Sequence, residues 1–176
     1  MSCFRIAVLL TAAISPIAAH AQAKQMKLLQ PCEAQVTARF KQWRVAPVKP
    51  EVAKWAKDQH ENPTMASGDF DGNGRTDVAL LIQDGPVPEP DYPGRLDSLH
   101  IAVCLDRKTS IKLHVIDDLY CGDGITRARK GHRYYDYEKQ SYGKYSEDGV
   151  SAYCFEKAGA TYVFENGEFR QIVDSD

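Results

Sequence analysis

Residues 69–82 read Asp69-Phe70-Asp71-Gly72-Asn73-Gly74-Arg75-Thr76-Asp77-Val78-Ala79-Leu80-Leu81-Ile82. Oxygen-bearing side chains recur at alternate positions: Asp69, Asp71, Asn73 and, at the ninth place, Asp77. The seventh residue, Arg75, is placed to offer its backbone carbonyl. Hard cations such as Ca2+ take six to eight oxygens at about 2.3–2.6 Å, so a short loop must wrap tightly to supply them. Gly72 and Gly74 permit that wrapping, because glycine takes up positive φ without a Cβ penalty. The plain alternative is a polar Asp/Gly turn that binds nothing. The five residues after the loop, Val78–Ile82, form a short apolar run of the kind that makes a buried strand.

The loop departs from the EF-hand pattern. That pattern wants a bidentate Glu at position twelve, where this chain has Leu80. A buried strand follows the loop in place of the EF-hand's second helix. An ion held here would pin a loop within a β-fold, and a closed oxygen cage is a poor design for metal catalysis.

The longer stretch Ser67-Gly68-Asp69-Phe70-Asp71-Gly72-Asn73-Gly74-Arg75-Thr76-Asp77-Val78-Ala79-Leu80 resembles the calcium loop of FG-GAP/VCBS-type repeats. In that family a Gly-Asp-Phe-Asn/Asp-Gly-Asp/Asn-Gly-x-x-Asp stretch precedes a hydrophobic strand. Such repeats build the blades of β-propellers, often in extracellular proteins. The resemblance implies Ca2+ as ligand and a blade-like sheet; the stretch occurs once in the chain. In size, compartment and β architecture the protein is also similar to periplasmic lysozyme-inhibitor-like proteins, without a specific motif.

Residues 1–23 read as a removable leader. Met1-Ser2-Cys3-Phe4-Arg5 is a short basic start, Ile6–Ala13 an apolar core, and Ala21-Gln22-Ala23 a small-x-small cleavage signal. The apolar core is too short for a membrane span, which needs about 20 residues. Residues 24–176 then make one domain that can bury a core of its own. The destination is the periplasm or outside. Cys3 leaves with the leader. Cys32, Cys104, Cys121 and Cys154 remain, and an even count in an oxidising compartment predicts two disulfides of open connectivity. No Cys-x-x-Cys or zinc-ligand spacing occurs. A net charge of −2 gives no whole-chain attraction to nucleic acid.

Along the chain, Phe40 and Trp43 are candidate core anchors. Pro50–Gln59 predicts a short helix: Pro50 suits the first position, Glu51 the positive end, and Val52, Trp55 and Ala56 share a face. Gln83–Pro93 is proline-rich and is either a surface excursion or a stiff recognition loop. Strands are expected at Val78–Ile82, Leu99–Leu105, Ile111–Leu119, Val150–Glu156, Thr161–Glu165 and Glu168–Val173. The last two are joined by Asn166-Gly167, a tight-hairpin signal. The expected fold is mainly β: an antiparallel meander, as a partial propeller or an open barrel-like sheet, with one or two short N-terminal helices.

The chain has no His-Glu-x-x-His and no Gly-x-Ser-x-Gly. His100 and His114 lie on neighbouring expected strands, where they can face each other. Residues 127–145 hold five tyrosines interleaved with Arg and Lys. Such side chains dominate binding hot spots, and Arg133, Tyr134, Tyr135 and Tyr137 are the candidate partner-binding residues. The plain alternative is a hairpin whose tyrosines pack across strands. The expectation is an exported calcium-binding domain working as a non-enzymatic binding module. It would inhibit, or confer immunity to, a cell-wall hydrolase, or would bind a glycan. The alternative is a secreted calcium-dependent hydrolase of glycans or phosphate esters.

Overall fold

The computed structural model describes residues 29–85 and 95–175. The expected leader and most of the proline-rich segment lie outside the described residues. The chain is mainly β, with antiparallel sheets that do not close into a barrel and two short helices.

Two antiparallel meanders form the body. The first comprises β2 (Met65–Gly68), β3 (Asp77–Asp84), β4 (Leu99–Asp106) and β5 (Ile111–Ile116), with the short β1 (Trp43–Val45) paired to the far half of β3. The second comprises β6 (Gly124–Ala128), β9 (Gly149–Cys154), β10 (Ala158–Glu165) and β11 (Glu168–Ser175). Between β6 and β9 the chain makes a separate hairpin, β7 (Arg133–Asp136) with β8 (Ser141–Lys144). The first strands of the two meanders run side by side, and the Ile125 amide donates to the Pro63 carbonyl at 2.8 Å.

Strand alternation sorts side chains into layers. On β4, Leu99, Ile101, Val103 and Leu105 face the second sheet and meet Ile125, Val150, Ala152 and Tyr162 in the main core. Ala102 and Cys104 face the other way, with Val78, Leu80 and Ile82 of β3. Helix α1 (residues 29–39) covers that outer face with Leu29, Cys32 and Val36, and Phe40 follows. The spacing of three to four residues puts these on one stripe. Gln35 on α1 also pairs with the backbone of the edge strand β5: its amide donates to the Ile111 carbonyl and its carbonyl accepts from the Leu113 amide. Two backbone groups of an otherwise open edge are thereby satisfied. The outer face of the second sheet is covered by the β7–β8 hairpin, through Tyr134 and Tyr145 against Val163 and Ile172.

Helix α2 (Pro50–Asp58) begins at proline, carries Glu51 in its first turn, and buries Val52 and Ala56 completely. Trp55 shares that side but stays 37% exposed, with its edge against Tyr153 and Phe155. Asn166 and Gly167 form the two-residue turn between β10 and β11, both at positive φ, as a right-twisted hairpin demands. The four cysteines pair as Cys32–Cys104, tying α1 to β4, and Cys121–Cys154, tying the β5–β6 connection to the end of β9.

Candidate functional site

The acidic loop joins β2 to β3. Gly72 and Gly74 sit at φ +71° and +77°, so the tight wrap uses the backbone freedom expected of them. Phe70 is fully buried and roots the loop in the main core. One oxygen each from Asp69, Asp71 and Asp77 lie within 4.8 Å of one another. Asp77, at the mouth of β3, accepts from the Phe70 and Asp106 amides, both at 2.8 Å. Asn73 accepts from the Arg75 amide at 2.8 Å and donates to Asp71 at 3.0 Å and to the Asp106 carbonyl at 2.9 Å. The Gly74 amide donates to Asp69 Oδ2 at 2.9 Å.

Three carboxylates this close repel. Two arginines answer them from the side: Arg107 on Asp71 at 2.8 Å, and Arg75 on the neighbouring Asp106 at 2.8 Å. The compensation is incomplete. Asp69 Oδ1 is buried without a hydrogen-bond partner, and burial pushes the Asp77 carboxyl up to about 6, with the charges of Asp71 and Asp69 adding to the rise. A buried orphan carboxylate oxygen among three acids, on a loop with oxygens at alternate positions, fits a hard cation. The structure thus brings together Asp69, Asp71 and Asp77, with Asn73 hydrogen-bonded to Asp71. The side chain of Arg75 is turned onto Asp106.

The β7–β8 hairpin has two different faces. Tyr135 pairs with Tyr142 across the strands and Arg133 with Lys144. On the outward face the Tyr135 ring lies 5.0 Å from both Tyr137 and Tyr142, edge to face, and Arg133 Cζ lies 5.0 Å from the Tyr142 ring centre. Tyr142 is 70% exposed. Tyr134 does not belong to this surface, contrary to its inclusion among the candidate partner residues. Strand alternation turns it inward, where it stacks on Tyr145 at 4.7 Å over Gly143, whose missing Cβ makes the room. Tyr142 takes its place; the alternation of a hairpin centred on residues 137–140 would have pointed to it.

The inward face fixes the hairpin. The Tyr145 hydroxyl donates to Asp174 and lies 3.1 Å from Thr161 Oγ1. Asp136 caps the turn by accepting from the Glu138 and Lys139 amides. The Tyr137 amide donates to the Val173 carbonyl at 3.1 Å. Buttressing of this kind lowers the entropy cost of presenting the outer rings.

The expected His100–His114 pairing does not occur. His114 is opposite Val103, whereas His100 is opposite Ile82, and the two histidines lie on opposite faces of the sheet. His100 stacks on Phe40 and bonds Asp117 at 2.8 Å. His114 packs against Phe164 and Phe169, and burial lowers its pKa.

Glu147 and Asp148 stand beside the loop without any signal in the sequence. Asp148 accepts from the Asp69 amide at 3.0 Å, across a separation of 79 residues. No local pattern signals such a bond. In comparison with known proteins, no family model, no curated protein and no solved structure matches the chain.

Proposed function

We propose that the protein is an exported, calcium-binding β-domain that works as a non-enzymatic binding module for another exported protein. The observation that carries this reading is the outward face of the β7–β8 hairpin: Arg133, Tyr137 and Tyr142 exposed and clustered around the half-buried Tyr135, on an element that the second sheet does not need for its own strand pairing. Tyr and Arg in such clusters form the anchors of protein interfaces. The edge-to-face packing of the rings, with Arg133 over Tyr142, suits a protein surface better than a flat sugar ring. Lys144 adds positive charge beside Arg133, while Lys139 is paired with Asp136 at 3.3 Å, so an acidic partner surface suits this face. Cell-wall glycosidases work with paired carboxylates, and a protruding Arg/Tyr hairpin is complementary to such a cleft.

The export half of the reading is supported by the two disulfides; among the described residues no helix is long and apolar enough to cross a membrane. In the calcium half, Asp69, Asp71 and Asp77 would hold the ion, with Asn73 and the Arg75 carbonyl completing the oxygen set. A bound Ca2+ would supply positive charge to the buried carboxylates and lock the loop; it is given no part in chemistry.

The test is capture from periplasmic extract with the oxidised protein, and inhibition of cell-wall hydrolysis by whatever is captured. Arg133→Ala with Tyr135→Ala is expected to abolish both while leaving Tm nearly unchanged. Capture and inhibition that survive the double substitution remove the hairpin face from the reading.

A further inference from the structure

In each meander the first connection is the irregular one: residues 69–76 between β2 and β3, and residues 129–148 between β6 and β9. Because β2 and β6 run side by side, these two connections emerge at the same end and touch. Asp148 closes the second connection and grips both. Its Oδ2 accepts from the Asp69 amide at 3.0 Å, and its Oδ1 accepts from the Lys130 amide at 2.9 Å. Glu147 beside it pairs with Lys130 Nζ at 2.7 Å. Glu147 also lies over the acidic loop so closely that a Cβ on Gly72 would sit 2.7 Å from its Cδ. From Lys130 the chain passes into the hairpin, whose legs are closed by Gly131 N to Tyr145 O at 2.8 Å and Tyr145 N to His132 O at 3.1 Å.

We infer that Asp148 is a positioning residue that couples the acidic loop to the hairpin, so that calcium held by Asp69, Asp71 and Asp77 governs how firmly the Tyr/Arg face is presented. The inference rests on the calcium reading above. The physical path is short. Without a cation, the clustered carboxylates of Asp69, Asp71 and Asp77 push the loop apart, while Glu147 beside it is paired with Lys130 and Asp148 lies 3.8 Å from Arg127. A cation removes that repulsion and fixes the main chain at Asp69. Asp148 transmits the fixed position to Lys130 through a single carboxylate. Coupling of this kind is reciprocal: whatever orders the hairpin also tightens calcium binding.

The experiment combines calorimetric titration of the oxidised protein with CaCl2 and hydrogen–deuterium exchange in calcium and in EGTA. In the wild type, calcium is expected to slow exchange in residues 129–145 as well as in 69–77, by about tenfold. Asp148→Asn is expected to bind calcium about tenfold more weakly, with a hairpin whose exchange no longer responds. Should that variant fail to fold, Glu147→Gln, at a more exposed position, serves instead and weakens the response. Calcium uptake with unchanged hairpin exchange overturns the inference and leaves the calcium reading standing. So does a hairpin that responds equally in Asp148→Asn. No calcium uptake by the wild type removes both.

Discussion

Asp77 is fully buried, with its two oxygens on the backbone amides of Phe70 and Asp106. Those bonds favour the carboxylate, but burial outweighs them and lifts the carboxyl from 3.8 to about 6. Native Asp77 therefore holds its proton more tightly than the unfolded chain does. The stability this supplies is fully present below pH 3.8 and is lost as pH rises through about 6. Its size is on the order of 3 kcal/mol. A cation at the loop reverses the sign, since the ion needs the ionised form. His114, whose pKa burial lowers, works in the opposite sense on the metal-free protein. The clean readout is thus the calcium-minus-chelator difference in Tm at each pH. That difference is expected to be roughly 5–10 °C at neutral pH and calcium 100-fold above Kd, and to shrink as pH falls from 7 to 5. A constant difference across that range would exclude Asp77 as a ligand. Asp71→Ala provides the companion test. Its side chain is fully buried and paired with Arg107, so the substitution is expected to lower Tm and erase the calcium increment together.

At the scale of elements, the hairpin divides its tyrosines into two sets with different expected responses. Tyr145 is buried, stacked on Tyr134 and bonded to Asp174; Tyr145→Ala should cost about 3–5 kcal/mol in urea unfolding. Gly143→Ala drives a methyl to 2.5 Å from the Tyr134 ring and should cost about 1–3 kcal/mol. Tyr142→Ala, on the exposed face, should change stability by no more than about 0.5 kcal/mol while weakening partner capture. Equal stability losses for Tyr142→Ala and Tyr145→Ala would mean that the two faces are not distinct. The sequence signals for this element were ambiguous because tyrosine serves both faces equally well. Strands β3, β4, β5, β9, β10 and β11 were legible from their apolar runs and turn residues. Strand β6, with two apolar side chains among Gly124–Ala128, was not. The expectation of one or two short N-terminal helices covers α1, but its position was not legible because its apolar residues are spread among polar ones. The gathering of Asp69, Asp71 and Asp77 was legible because all three lie within one nine-residue stretch, whereas Asp148, Glu147 and Arg107 reach the loop only through the fold.

Across the whole molecule, each sheet contributes one face to the shared core and has its other face covered by an added piece: α1 on the first and the hairpin on the second. The two covers are secured differently. The hairpin is closed by its own strand pairing and by hydrogen bonds to β11. Helix α1 has the Gln35 bonds to the β5 edge and the Cys32–Cys104 disulfide, which closes a loop of 72 residues against 33 for Cys121–Cys154. Loop-closure entropy alone assigns about 4.4 kcal/mol to the first and about 3.7 kcal/mol to the second. The small gap between those figures hides a larger structural difference. With Cys32 and Cys104 replaced by Ala, α1 depends on the packing of Leu29, Val36 and Phe40 against β3 and β4 and on the Gln35 bonds to β5, and its release would expose Val78, Leu80 and Ile82 to water. The Cys121–Cys154 staple instead spans a connection that the Asp123 carboxylate already bonds to the Phe155 amide at 3.1 Å. The expectation is that the Cys32→Ala/Cys104→Ala variant loses markedly more stability than Cys121→Ala/Cys154→Ala, and loses amide protection first in residues 29–39. If that protection survives while the global transition falls, then packing rather than the disulfide holds the helix, and the first sheet keeps its cover without the covalent tie.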